Sequence, residues 1–217
     1  MSSFPQHLLE GYRTFTSQRL PTEQSRYREL SEIGQSPEVM VIGCCDSRVS
    51  PEVIFDAGPG ELFVVRNIAN LVPVYQPDGG AHGVSAALEY AVSVLRVKHI
   101  VVLGHAQCGG IRAFIDKIEP LSPGDFIGRW MSMFIKPGER VEQRDHETMQ
   151  DFTIRIEKAA VFRSLENLLT FPFVKAAVER GELSLHGAYF GVAEGSLFVL
   201  DPAAKEFHSV REASASS

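Results

Sequence analysis

Two short segments hold most of the residues that could do chemistry, Cys44-Cys45-Asp46-Ser47-Arg48 and His105-Ala106-Gln107-Cys108-Gly109-Gly110. His105 and Cys108 are three apart across what reads as a strand-to-helix turn, a spacing that lets an imidazole and a thiolate face one point. Gly109 and Gly110 leave that turn conformational freedom. A thiol at the start of the following helix also feels the positive end of its dipole, which favours the thiolate. With Cys44 the set offers two thiolates and one neutral imidazole, suited to Zn²⁺, and three ligands rather than four leave a position for water, the pattern of a catalytic centre. The two thiolates offset the metal's charge, so neighbouring groups must help stabilise hydroxide. Asp46 follows Cys44 by two positions and Arg48 follows Asp46 by two more, close enough for a bidentate pair. Asp46 could accept the proton of a zinc-bound hydroxide, and Arg48 would hold Asp46.

Each fragment alone has a plainer reading: a cysteine at a strand end is usually a small buried hydrophobe, and Asp-Ser-Arg is usually a turn with a surface ion pair. The coincidence of three ligand-type residues at strand ends, with an Asp/Arg pair beside one of them, favours zinc. Cys45 is expected to point away from Cys44 into core packing; as a fourth ligand it would make the site structural. His7, His146 and His208 lie in polar or terminal stretches and read as surface groups. His82, His99 and His186 read as satisfied histidines packed against the sheet. Trp130, Met131, Met133 and Phe134 read as one packed helix face. No GxGxxG follows a strand, which disfavours dinucleotide binding.

Cys44 ends the run EVMVIGC and His105 ends HIVVLGH; LFVVRN is a third short run of this kind, and Gly83 to Val97 has a helical pattern. Strands alternating with helices predict an α/β fold with a mainly parallel central sheet covered by helices, whose ligand crevice lies at the carboxyl ends of the strands. IRAFIDKIE, DFIGRWMSMFI and Asp151 to Leu169 read as further helices. LSLHGAYFGV and SLFVLD, joined through Ala193-Glu194-Gly195, read as an antiparallel hairpin, so the sheet is mixed. At the start, Leu8, Leu9, Tyr12 and Phe15 have helical spacing, and Pro21 reopens a second helix up to the turn at Gly34 to Pro37. The expected organisation is an N-terminal helical arm over 1–35, a single α/β zinc-enzyme domain over 36–212 and a frayed tail over 213–217.

A chain of 217 residues, 44% hydrophobic, can bury one sizeable core. Its 27 acidic and 21 basic residues, net charge −6, make no field for nucleic acid or an anionic membrane. The N-terminus lacks the pattern of a secretory leader and no run of about 20 apolar residues is present, so a cytoplasmic protein is expected. Three cysteines are too few for a disulfide framework and fit metal binding better.

The pattern CxDSR followed by HxxCGG, with FVVRNIANLVP and AALEYAV between them, resembles the β-carbonic anhydrases. It covers Gln35 to about Ile115 closely and the rest loosely, through FIGRWMS and LHGAYF. The resemblance implies one Zn²⁺ per subunit on Cys44, His105 and Cys108, with Asp46 orienting the attacking hydroxide and Arg48 keeping Asp46 off the metal. It also implies a carbon dioxide and bicarbonate pocket at a dimer interface, formed by Gln35, Phe63, Ile68 and Tyr90, with the backbone N–H of Gly109 facing the product. A homodimer or a dimer of dimers follows. Val41 stands three before the first ligand, where one branch of the family has a Trp that helps form a non-catalytic bicarbonate site; with Gln35, this points to the plant-like branch and an open site. Ala188 stands where the family often has Trp, leaving the packing around Tyr189 open. Two alternatives stand beside carbon dioxide hydration: hydrolysis of carbonyl sulfide or carbon disulfide by the same triad, and a non-catalytic structural zinc protein.

Overall fold

The computed structural model describes residues 4–136 and 139–210. The expected tail at 213–217 lies outside the described residues. Six strands form one sheet in the order β2-β1-β3-β4-β5-β6: β1 (Val39–Cys44), β2 (Leu62–Asn67), β3 (His99–His105), β4 (Ser184–Gly191), β5 (Ser196–Asp201) and β6 (Glu206–Ser209). The first four are parallel, and β5 and β6 add antiparallel. The mixed sheet is as expected; β6, four polar-leaning residues, gave no alternation long enough to be read.

The helices are α1 (Gln6–Thr14), α2 (Leu20–Ile33), α3 (Pro51–Ile54), α4 (Gly83–Glu89), α5 (Gly109–Ile115), α6 (Phe126–Ser132), α7 (Met149–Leu168) and α8 (Pro172–Glu179). On one face of the sheet, Met40, Ile42, Ile100 and Val102 pack against Leu88 and Ala91, against Val161 and Leu168 of α7, and against Phe171 and Val174. Gly104 permits this approach, because a Cβ there would stand 2.6 Å from Cγ2 of Val161. The Thr148 hydroxyl starts α7 by accepting the N–H of Asp151. The opposite face centres on Val41, Leu103 and Ala188, flanked by half-buried Val39, Leu62, Val64, Val101 and Leu197, with Ile54 of α3 joining from outside the sheet.

The arm differs from the sequence reading in one respect. Pro21 does not separate two helices: a π-helical stretch, Phe15–Arg19, joins α1 to α2, and Pro21 sits in the first turn of α2, where its missing N–H costs nothing. Neither α1 nor α2 has a buried residue, and Phe4, Leu8, Tyr12, Tyr27 and Ile33 are exposed.

The sheet order decides where a site can form. From β1 the chain moves to β2 on one side, then crosses to β3 on the other, so β1 and β3 flank a topological switch point whose crevice opens at their carboxyl ends.

Candidate metal centre

Gly43 of β1 pairs with Leu103 of β3, which brings Cys44 and His105 to within one residue of the same level on adjacent strands. The chain then turns through Ala106 and Gln107. The Ala106 N–H bonds to the Phe190 carbonyl at 2.9 Å, Gln107 adopts a left-handed φ of 58°, and Cys108 becomes the N-cap of α5. The donor atoms of Cys44, His105 and Cys108 all lie within 4.8 Å of one another, and all three residues are buried.

The donors fit zinc. Two sulfurs each about 2.3 Å from a tetrahedral ion stand about 3.8 Å apart; the Sγ atoms of Cys44 and Cys108 are 4.0 Å apart. His105 Nδ1 donates to the Ala106 carbonyl at 2.9 Å, which fixes the tautomer and leaves the lone pair on Nε2. That Nε2 is buried without a hydrogen-bond partner, the mark of an atom kept for a ligand.

The thiols titrate as a pair. The hydrogen bond from Cys108, helped by the N–H groups of Asp46 and Ala69, draws Cys44 down, while its bond to Cys44 and burial push Cys108 up. Burial pulls on His105 in the opposite sense but is outweighed by Cys44, so its net direction is upward. A metal that needs two thiolates and a neutral ring would therefore expel protons on binding.

Asp46 lies outside the donor cluster, clasped by Arg48. Its Oδ1 accepts from the backbone N–H of Arg48 at 3.0 Å and from Nε at 2.9 Å, and its Oδ2 accepts from Nη2 at 2.8 Å. This grip holds the carboxyl well below the usual carboxylate range. Arg48 also donates to the carbonyl of Gln107 at 3.0 Å and to its side-chain oxygen at 3.3 Å, linking the clasp to the turn that carries Cys108.

Other predicted site residues divide into two groups. Ile68 packs among Cys44, Cys108 and Met131, and Gly109 opens α5 beside them. Phe63, by contrast, pairs with Met40, whereas Cys44 pairs with Asn67; four residues of strand put it about 13 Å down the sheet from the ligands. Tyr90 accompanies Phe63, ring centroids 5.9 Å apart, and is exposed; Gln35 is exposed just past α2. Within one chain, then, Gln35, Phe63 and Tyr90 are not gathered with the metal donors. Cys45 corrects an expectation: β1 ends at Cys44, so strand alternation no longer governs Cys45, which is exposed rather than packed in the core. His82 also departs from its reading, since it bonds to Asp78 in an exposed loop; His99 and His186 satisfy each other at 3.1 Å. Met131 and Phe134 are buried, and Trp130 donates to the Ile68 carbonyl at 2.7 Å.

Two residues with evident roles were missed. Arg66 donates to the carbonyls of Cys44 and Asp46, both at 2.7 Å, and so ties down the segment between ligand and carboxylate. A lone arginine in the apolar run LFVVRN was the available signal. Glu157, 2% exposed, accepts the Cys108 N–H at 2.9 Å and the Tyr189 hydroxyl at 2.6 Å. Its signal was its place beside the apolar stripe Phe152, Ile156, Ala160 of α7.

Gly110 is fixed by close approach. A Cβ there would meet Cγ2 of Ile68 at 2.5 Å and the Ala69 Cβ at 3.2 Å, and Ala69 is itself held at a φ of 61°. Gly110→Ala is therefore expected to lower stability by roughly 1–3 kcal/mol through overpacking, and to reduce bound zinc by displacing α5 from the turn; denaturant melts and a metal count would check both.

The comparisons agree with this geometry. The model of the carbonic anhydrase family matches residues 39–197. Beta carbonic anhydrase 5, chloroplastic, of Arabidopsis thaliana is 38% identical over 174 residues, 77% of this chain and 55% of that protein, so the chain spans about half the length of this curated relative. The chloroplastic location printed for that relative differs from the cytoplasmic one expected here; among the described residues, no helix is long and apolar enough to cross a membrane. The solved β-carbonic anhydrase CcaA superposes with a TM-score of 0.84 at 28% identity, covering 94% of this chain and 91% of that one. A β-carbonic anhydrase from Sordaria macrospora, described as tetrameric, gives 0.76 at 28% identity over 90% and 95%. With the match running from the first residue of β1 into β5, across every strand that frames the donor cluster, the chain belongs to the β-carbonic anhydrase family.

Proposed function

We propose that this chain is a zinc enzyme interconverting carbon dioxide and bicarbonate, with Cys44, His105 and Cys108 holding one metal ion per subunit. Asp46 carries the reading: Arg48 holds it outside the three-donor cluster, so the fourth tetrahedral position is left for the reaction. Zinc, when bound, supplies the Lewis acidity that makes water a nucleophile near neutral pH.

The chain's own residues account for orientation. A carboxylate has about four acceptor positions. Asp46 spends three on Arg48, and the remaining one can take a hydrogen bond from the attacking oxygen and turn its lone pair toward the carbon. Arg48, braced on Gln107, prevents Asp46 from swinging toward the donors. Ile68 offers an apolar wall suited to a linear nonpolar substrate, and the N–H of Gly109, at the start of α5, suits an anionic product.

The rest of the pocket comes from a second copy. Gln35, Phe63 and Tyr90 lie far from the metal donors of their own chain, the arm buries nothing, and one sheet face is only partly covered; pairing would bring the walls of one copy to the centre of the other. The tetrameric relative supports such assembly, as a dimer or a dimer of dimers. Val41 and Gln35 keep the chain in the plant-like branch.

Stopped-flow carbon dioxide hydration across pH, run beside a metal count, tests the reading; hydration should rise with pH and with zinc content. Turnover of carbonyl sulfide or carbon disulfide with carbon dioxide hydration at background would instead select the sulfide-hydrolysing reading. A structural zinc protein would need a fourth protein ligand, and Cys45 is outside the cluster. X-ray absorption should find two sulfurs and one nitrogen at the metal; three sulfurs would select the structural reading.

A further inference from the structure

A groove of about 820 Å³ is lined by residues of α7 and of the β4–β5 hairpin, and its lining includes Gln107, Cys108, Glu157 and Tyr189. Glu157 is almost fully buried there. Both of its oxygens accept: Oε1 takes the Cys108 N–H at 2.9 Å and Oε2 takes the Tyr189 hydroxyl at 2.6 Å, with the Gln107 N–H also turned toward it. Tyr189 is fixed in its turn, because the ammonium of Lys158 lies 5.4 Å over its ring and within 5.6 Å of Phe198 and 5.4 Å of Phe207.

This carboxylate sits against a costly piece of backbone. Gln107 has a left-handed φ of 58°, which a non-glycine residue keeps only when its surroundings over-determine it. Arg48 holds the turn through the carbonyl and side chain of Gln107, and Glu157 holds it through the next N–H, that of Cys108. Cys108 lies at the end of that turn, and the direction of its Sγ follows from it.

We infer that Glu157 is a positioning residue of the metal centre: by holding the Gln107–Cys108 turn against Tyr189, it keeps Cys108 aimed at the ion. The inference rests on the zinc reading above. A purely structural role makes a different forecast. If Glu157 served the fold alone, its loss would lower the melting temperature, because the Cys108 N–H and the Tyr189 hydroxyl would be buried without an acceptor, and would leave zinc release from the folded protein unchanged. Loss of a group that orients a metal ligand typically weakens metal binding about tenfold or more.

The test is the rate of zinc transfer from the purified holoprotein to excess chelator, measured beside the melting temperature of the metal-free protein. Glu157→Leu should melt below the wild-type temperature without metal and, at a temperature where both proteins stay folded, release zinc about tenfold faster or more. Glu157→Gln retains an acceptor for the Cys108 N–H and should stay within about threefold of wild type. A Glu157→Leu protein that keeps zinc as long as wild type overturns the inference. If that variant does not fold, Tyr189→Phe decides, since it removes one hydroxyl outside the turn: release about threefold faster or more upholds the inference, and an unchanged rate overturns it. Wild-type protein that holds no zinc would instead refute the metal reading itself, and this inference with it.

Discussion

Asp46→Asn is expected to bind zinc as fully as the wild type and to hydrate carbon dioxide about a hundredfold more slowly or worse. Asparagine keeps one oxygen but turns an amide NH₂ toward a guanidinium that is itself all donor, so the double clasp at Oδ1 and Oδ2 cannot form. Freed from the clasp, the side chain no longer presents a fixed acceptor to the attacking oxygen. The donor cluster is untouched, because Asp46 is not part of it. Kinetics and a metal count on the same sample separate the two quantities. Equal loss of zinc and turnover would sink the role given to Asp46.

The second large effect is expected at Cys108. In Cys108→Ser a hydroxyl that stays protonated replaces a thiolate, leaving one sulfur, one imidazole and a poor oxygen donor. Zinc content should fall to about a tenth of wild type or lower, with carbon dioxide hydration lost in proportion. The melting temperature should become insensitive to added zinc, because an ion that no longer prefers the folded chain cannot stabilise it. A Cys108→Ser protein that retains a full complement of zinc would remove Cys108 from the ligand set.

The cluster of candidate donors was legible because cysteine and histidine at the ends of apolar strand runs have few other reasons to coincide, and the strand order then put them side by side. The pairing of Asp46 with Arg48 was legible for a local reason, since a single intervening residue, Ser47, lets the two side chains close a ring. Three other features depended on information that spacing does not carry. Cys45 was misread because alternation holds only while a strand continues, and β1 stops one residue earlier. Glu157 looked like any glutamate on a long helix until α7 was seen to pack on β3 and β4, where its carboxylate meets Cys108 and Tyr189. The grouping of Phe63 with Tyr90, away from the ligands, follows from strand register, which a list of aromatic residues does not reveal. The join between α1 and α2 was hidden by Pro21, a helix breaker everywhere except in the first turn, where it stands.

Adjacent β-strands lie about 4.8 Å apart whatever side chains they carry. Cys44 ends β1 and His105 ends β3, so the hydrogen bonds between those strands set the spacing of two of the donors, while Cys108 reaches the cluster from the turn that follows β3. Both of those strands are central, with neighbours paired on either side, so the backbones that carry Cys44 and His105 have little freedom to move apart.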